Sequence, residues 1–332
     1  MSLPNRSEIL FLYDVSYSNP NGDPADNNRP RRDSFSDQLL VTDVRLKRTM
    51  RDYLYTKYRM QKNDPTCDLY VYSDQAEPMT LAERLGRLGG KEPKAGDAVK
   101  IEAKLSKEQL LKECIDARLF GATIAPSSQK PKDKDKGKFA AYEAEGAFHL
   151  TGPVQFNMGR SLHAVKEEFV KGTGGFATNI GAGQRTFREE FVAAYGLIAF
   201  YGCIDHHRAE FTQCSEGDVD KLLEAIWCGT MALNTRSKAG QVPRLLLKID
   251  TKNDFLFGRL TRFIKIEHEG KNGDELRSTD DFTLNLSGLL DALHENSKHV
   301  AKVSFTYDKQ LKLSPEQLPN DWKPLAMEKW YA

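Results

Sequence analysis

The sequence predicts an α+β protein whose core has the order βαββαβ, interrupted by two insertions. Three observations support that class. Four segments carry strand patterning, two segments between them place apolar residues at helical spacing, and two stretches follow neither period. With 332 residues, 39% of them hydrophobic and 29% charged, the chain has room for one large core or two modest ones.

The first strand is EILFLYDVSY, residues 8–17, a run of aromatic, branched and aliphatic side chains. It leads into a loop where Pro20, Asn21, Gly22, Asp23 and Pro24 disfavour regular structure, followed by Arg29, Arg31 and Arg32. Thr42 and Asp43 can cap the helix that follows, and Leu46, Met50, Tyr53, Leu54 and Tyr58 form its apolar stripe. At about 100° per residue, Arg45, Arg48 and Arg59 lie opposite the stripe, with Lys47 and Arg51 flanking it.

Residues 62–147 break into short pieces: a strand-like CDLYVYSD, a short helix at MTLAERLGRL, and a helix starting at Ser106, which has capping-box spacing to Gln109. This reads as an insertion rather than a second core. Its lysine-rich tract SSQKPKDKDKGK lacks apolar residues and is expected to be a mobile surface loop.

Phe148, Leu150, Gly152, Val154 and Phe156 then alternate with polar residues as a half-buried strand does, and Pro153 marks an edge or bulge. Residues 159–188 hold six glycines beside Arg160, His163, Lys171, Phe176, Arg185 and Arg188, a composition that fits a protruding, flexible, basic arm. FVAAYGLIAFYGCI, residues 191–204, is apolar enough for a central strand buried on both faces. Val219, Leu222, Leu223, Ile226 and Trp227 mark the second helix with Asp218 as its N-cap, and VPRLLLKID supplies the fourth strand. Residues 251–332 add a tail, with a strand at HVAKVSFTYD, that should pack on the same core. Without the insertions this is the split βαβ arrangement shared by ferredoxin-like and RNA-recognition folds.

Several classes are set aside. No stretch approaches the roughly 20 apolar residues of a membrane-spanning helix. The opening apolar run is short and lacks a cleavage site, so a cytoplasmic protein with no membrane partner is expected. Five cysteines without a C-x-x-C spacing support neither a disulfide framework nor a zinc site. No zinc-protease, phosphate-loop, nucleophile-elbow or dinucleotide motif occurs, and no metal or cofactor is expected. His206 and His207, adjacent on an extended chain, face opposite ways and read as a structural or exposed pair.

The formal charge is only +1, from 48 Lys+Arg against 47 Asp+Glu, so placement of the cations decides what they can bind. Phosphates need positive side chains and free backbone N–H groups, and three segments supply them. The first contains Asn19, Asn21, Asn28, Arg29, Arg31, Arg45, Lys47, Arg48 and Arg51. The second, the arm, contains Arg160, Ser161, His163, Phe176, Arg185 and Arg188, and there His163 could stack on a base or be merely exposed. In the third, Arg236, Ser237, Lys238 and Gln241 lie in a segment with no acid before Asp250. Each cluster alone also fits a solvated surface with compensating acids nearby. Asp14, Asp23, Asp26 and Asp33 are the candidate catalytic carboxylates, although aspartates in such loops usually close turns.

Five blocks carry a family resemblance: FLYDVSYSNPNGDPADNNRPRRD with LVTDVRLKRTMRDYL, DARLFGA, GPVQFNMGRSLH, RTFREEFVAAYGLIAFYGCID, and NTRSKAGQVPRLLLKI. In this order they resemble the CRISPR-associated backbone subunits of type I Cascade complexes, in the RAMP superfamily, and the first block is most similar to the type I-B branch. The resemblance implies a right-hand-like subunit with an RNA-recognition-type palm (residues 1–61, 148–158 and 189–332), inserted fingers (62–147) and a thumb (159–188). It implies copies stacked along the spacer of a guide RNA that pairs with target DNA, in company with other Cascade subunits. A subunit that accepts any spacer must hold sugar and phosphate and leave base edges free. Phe176 or Met158 could wedge between bases, or Phe176 could pack the thumb onto a neighbouring copy. The aromatic signature of RNA-recognition strands is absent, so stacking on the sheet face is not expected. Type III relatives cut bound RNA with a loop aspartate. The opening block is closer to the type I members, so no catalytic residue is expected, and a backbone endoribonuclease is the alternative reading.

Overall fold

A computed structural model describes residues 3–72, 84, 88, 106–124, 148–177 and 185–331. Its strands begin with β1 (Arg6–Ser18), β2 (Gly22–Asp23), β3 (Arg29–Pro30) and β4 (Gln38–Val41). Then come β5 (Gly121–Ile124), β6 (Phe148–Thr151), β7 (Val154–Phe156), β8 (Gly159–Ala164), β9 (Glu167–Ala177) and β10 (Arg185–Ile204). The last are β11 (Val242–Thr251), β12 (Lys265–Glu267), β13 (Thr283–Asn285), β14 (Val300–Tyr307), β15 (Leu313–Ser314) and β16 (Lys323–Pro324). The helices are α1 (Asp43–Leu54), α2 (Lys107–Glu113), α3 (Ile115–Phe120), α4 (His206–Thr212), α5 (Glu216–Met231) and α6 (Ser287–Glu295). Among the described residues, no helix is long and apolar enough to cross a membrane.

The chain divides into two compact units. One gathers Met1–Pro4, Arg51–Gln155 and Asp205–Leu222, and the other Asn5–Met50, Phe156–Ile204 and Leu223–Ala332. The second unit is organised by a sheet of order β16-β14-β11-β1-β10-β8-β4. β1 lies inside it because Ile9 to Tyr13 are apolar and buried on both faces. It pairs antiparallel with β10 (Phe11 opposite Phe200) and with β11 (Phe11 opposite Leu246). On one face Leu10, Leu12, Leu245, Leu247 and Ile249 meet Leu284, Leu289, Leu293 and Trp322 of the C-terminal tail, which packs where the sequence placed it. On the other, the Phe11 and Tyr13 rings stack at 5.6 Å and those of Tyr13 and Phe200 at 6.3 Å. The expected tail strand is β14, paired to β11.

The Gly-rich stretch has two parts. Gly159–Ala164 is β8, inside the sheet between β4 and β10, and not part of an arm. Beyond it β9 and the first half of β10 form a hairpin, in register from Glu167 opposite Ala193 to Thr173 opposite Phe187, with a shift before Ala177 opposite Arg185.

In the first unit the insertion carries a core of its own, contrary to the sequence reading: Leu110, Leu111, Cys114, Ala117, Ala122 and Ile124 close around Tyr70 and Leu88. Ser106 caps α2 as the spacing predicted, accepting from Gln109 N–H. Four other expectations are corrected. CDLYVYSD forms no strand over its described residues, only a bridge from Asp68 to Cys114. The strand expected over 148–156 is two strands, because the Gly152 backbone lies against residues 120 and 121; a Cβ on Gly152 would stand 2.2 Å from the Phe120 carbonyl carbon. α1 stops at Leu54 and continues as a π-helical segment, Tyr55–Gln61, so the wheel angle that set Arg59 beside Arg45 does not hold. α5 starts before Asp218: Ser215 Oγ accepts from Asp218 N–H and Asp218 Oδ2 from Ser215 N–H, a reciprocal cap with Ser215 as the N-cap. MTLAERLGRL lies outside the described residues except Arg84 and Leu88, which are helical and buried, and SSQKPKDKDKGK lies wholly outside them.

Candidate nucleic-acid interface

The strand register brings three of the predicted segments to one end of the main sheet. Because β1 is antiparallel to both neighbours, its C-terminal end lies beside the start of β11 and the hairpin-proximal part of β10; Ser18 is opposite Ala193 and Asp14 opposite Val242. The loops then fasten to each other. Asn19 N–H donates to Ser237 C=O at 2.8 Å, and Lys238 Nζ donates to Asn19 C=O and Ser237 Oγ, both at 3.2 Å. Asn19 Nδ2 donates to Asn28 C=O, tying the loop across its own turn. Asn21 Oδ1 accepts from Thr42 N–H and Oγ1–H, and Thr42 Oγ1 accepts from Arg45 N–H, which joins the same loop to the capped start of α1.

The electrostatics are less simple than a basic patch. Burial lowers the Lys238 pKa, and the like charge of Arg45 lowers it further, so two cations share this corner of the unit. Arg45 also donates to Thr49 Oγ1, while Lys47 pairs with Asp43 one turn back. Four of the predicted arginines of this unit each hold a carboxylate: Arg31 with Asp23 at 3.0 Å, Arg160 with Asp33 at 2.7 Å, Arg29 with Glu167, and Arg236 with Glu190 at 2.5 Å. Arg29 also lies over the Phe191 ring, 4.5 Å from its centroid. The compensating acids are thus present, and two of them come from the base of the β9–β10 hairpin.

Some predicted residues sit elsewhere. Ser161 and His163 are buried in β8. Ser161 Oγ accepts from Leu39 N–H and donates to His163 C=O. His163 Nδ1 faces the Ala164 and Gly273 carbonyls while Nε2 accepts from Leu197 N–H, so the proton is on Nδ1. Burial lowers its pKa, and the neutral ring stitches the sheet instead of offering a face to a base. Arg51 belongs to the first unit and pairs with the fully buried Asp116. Asn19 and Gln241 are also buried, and Asn19 Oδ1 and Gln241 Nε2 have no partner among the described residues. Arg48 is half-buried on α1 and Met158 is exposed. Phe176, Arg185 and Arg188 lie on the hairpin, described as backbone.

The candidate carboxylates have structural work. Asp14 is buried and accepts from Arg244 Nε and Tyr195 OH, both at 2.9 Å. Asp23 Oδ1 accepts from Ala25 N–H, and Asp33 Oδ1 from Phe35 N–H, which closes turns as expected. The Phe35 N–H, with Arg160 and the Ser36 N–H, holds the Asp33 carboxyl below the usual range. His206 and His207 start α4, capped by Asp205, with ring centroids 3.9 Å apart.

Fold and site together define a mixed α+β protein that gathers cationic loops at one end of a large sheet. A family model described as CRISPR-associated protein Cas7 matches residues 5–287. The CRISPR-associated protein Cas7 of Haloferax volcanii is 31% identical over 318 residues, spanning 94% of this chain and 90% of that protein. The chain belongs to the CRISPR-associated Cas7 family, the family its sequence blocks resemble. Two solved chains share the fold at a TM-score of 0.52. One is from a CRISPR RNA-guided surveillance complex, at 14% identity and covering 97% of this chain and 94% of that one. The other is from such a complex described as pre-nicking, at 11% identity and covering 96% of each chain.

Proposed function

We propose that the protein is a non-catalytic guide-RNA-binding backbone subunit. It polymerises along the spacer with further copies of itself and other Cascade subunits, and presents the guide for pairing with target DNA. The observation that supports this reading is the fastening of Asn19 to Ser237 and Lys238 beside Arg45, which joins two cationic segments distant in sequence, the loop after β1 with the start of α1 and the loop before β11. The contacts available there are charges and backbone groups, which grip sugar and phosphate without reading bases. Arg29, Arg31, Arg45, Lys47, Arg48, Arg160, Arg236 and Lys238 are the phosphate-facing set, with Ser237 and Asn28 at its edge. Ser161, His163 and Arg51 support the fold.

In this reading β11-β1-β10 with α1 and α5 is the RNA-recognition-type palm. The β9–β10 hairpin is the thumb, carrying Phe176, Arg185 and Arg188, and the insertion is the finger region. The turn-closing roles of Asp23 and Asp33 favour this over the endoribonuclease. If about six phosphates are neutralised per subunit, single-stranded RNA affinity should fall with salt on a log-log slope near −4, at roughly 0.7 per phosphate. A flat response sinks the proposal. Incubation of the RNA-bound assembly with complementary RNA and Mg2+ should leave that RNA intact; periodic cuts lost on changing Asp23, Asp26 or Asp33 would establish the nuclease instead.

A further inference from the structure

Arg29, Arg31, Arg160 and Arg236 of the second unit each pair with a carboxylate, and the two pairs made with the hairpin differ from the other two. Glu167 on β9 and Glu190 on β10 are largely buried at 11% and 23% side-chain exposure, and each reaches out to a different loop. Arg29 Nε approaches both Glu167 oxygens, at 3.1 and 3.2 Å, and its Nη2 bonds to Oε1 as well. Arg236 grips Glu190 through Nη2 at 2.5 Å and Nε at 3.4 Å. Both are two-pronged contacts, and the guanidinium fork that fits a carboxylate in this way fits a phosphate equally well. Arg29 is further fixed by the Phe191 ring beneath it, so its fork is already oriented.

We propose that Glu167 and Glu190 are specificity-determining counter-charges: they occupy, in the RNA-free protein, the positions at Arg29 and Arg236 that guide phosphates take on binding. The inference rests on the guide-binding reading above and names residues that reading does not use. Each phosphate exchanges with a glutamate instead of meeting a bare cation. A stray polyanion that reaches one arginine gains little, whereas a strand that also engages Lys238 and Arg45 displaces both acids. The same exchange frees the hairpin base from the two loops. The neighbouring acids are suited to a control, because adjacent residues on a strand face opposite ways. Glu189 pairs with Lys171 at 3.4 Å on the hairpin itself, and Glu168 with Lys166.

The test uses the full chain and a labelled single-stranded RNA of mixed sequence, read by fluorescence anisotropy. Glu167→Gln and Glu190→Gln should each raise affinity about threefold, and together about tenfold, the scale of an exposed ion pair. The gain from Glu167→Gln should vanish in an Arg29→Ala background, and that from Glu190→Gln in an Arg236→Ala background. Glu189→Gln should give less than either. Equal gains from Glu189→Gln, gains that survive in the alanine backgrounds, or weaker binding by the glutamine variants would each overturn the inference while leaving guide binding in place. Failure of the wild-type protein to bind RNA would instead remove the guide-binding reading and this inference with it. Glutamine keeps the size of the side chain and one acceptor, and circular dichroism verifies that the variants fold.

Discussion

Replacing Arg45, Arg236 and Lys238 together by alanine should weaken single-stranded RNA binding by about two orders of magnitude at 0.1 M salt and flatten the salt dependence by about 2 in log-log slope. The size follows from counterion release: each phosphate neutralised contributes roughly 0.7 to the slope, and three contribute about 2.1. The three side chains come from α1 and the loop before β11, and the hydrogen bonds from Asn19 to Ser237 and Lys238 bring that loop to the end of β1. The effect should appear in affinity and slope together, since a variant that merely unfolded would lose binding without leaving a shallower line. Lys238 donates to one backbone carbonyl and one hydroxyl, so its removal takes little from the fold. A loss under about threefold with an unchanged slope would place the RNA path elsewhere.

What the sequence could and could not disclose follows from the range of each interaction. Residues 191–204 read as a buried central strand because a strand covered on both faces must be apolar throughout, and burial is a property of the run itself. The start of α1 was legible because Thr42 caps it three residues away. The pairing of Arg29 with Glu167 and Arg236 with Glu190 was not, because those partners lie 138 and 46 residues off and only the hairpin register brings them in. The loop from Arg236 contains no acid, and the sequence gives no sign that β10 supplies one. His163 was misplaced for a related reason. A glycine-rich composition pointed to an exposed arm, but Gly159 is there because a Cβ would stand 2.4 Å from the Phe200 ring, which marks tight packing in a sheet. The signal that could have located Asp116, and Arg118, which is buried against Asp218 at 2.8 Å, is their position: two opposite charges within Cys114 to Phe120, an otherwise apolar stretch, must find partners if buried.

Arg51 is a structural cation, and Arg51→Leu should cost about 3–5 kcal/mol of stability, the usual penalty for removing one member of a buried pair. Asp116 is fully buried; its Oδ2 accepts from Arg51 Nε at 2.8 Å and from Val71 N–H at 3.0 Å, and its Oδ1 accepts from Tyr70 N–H. That carboxylate pins the segment after Asp68 to the start of α3, and without the guanidinium it is left buried with only the Tyr70 and Val71 amides donating to it. Leucine restores some apolar contact with Phe120, whose ring now lies 5.1 Å from the Arg51 guanidinium carbon, but cannot neutralise the acid. Asp116→Asn should fall in the same range, because it strands the guanidinium in turn. The double variant Arg51→Leu with Asp116→Asn should recover part of the loss, which distinguishes an uncompensated charge from a simple packing defect. Urea unfolding of the full chain measures these differences. RNA affinity of folded Arg51→Leu should stay within about twofold of the wild type, since the structure engages Arg51 in a buried pair with Asp116 and not on the proposed RNA path. A large affinity loss with unaltered stability would return Arg51 to the RNA surface.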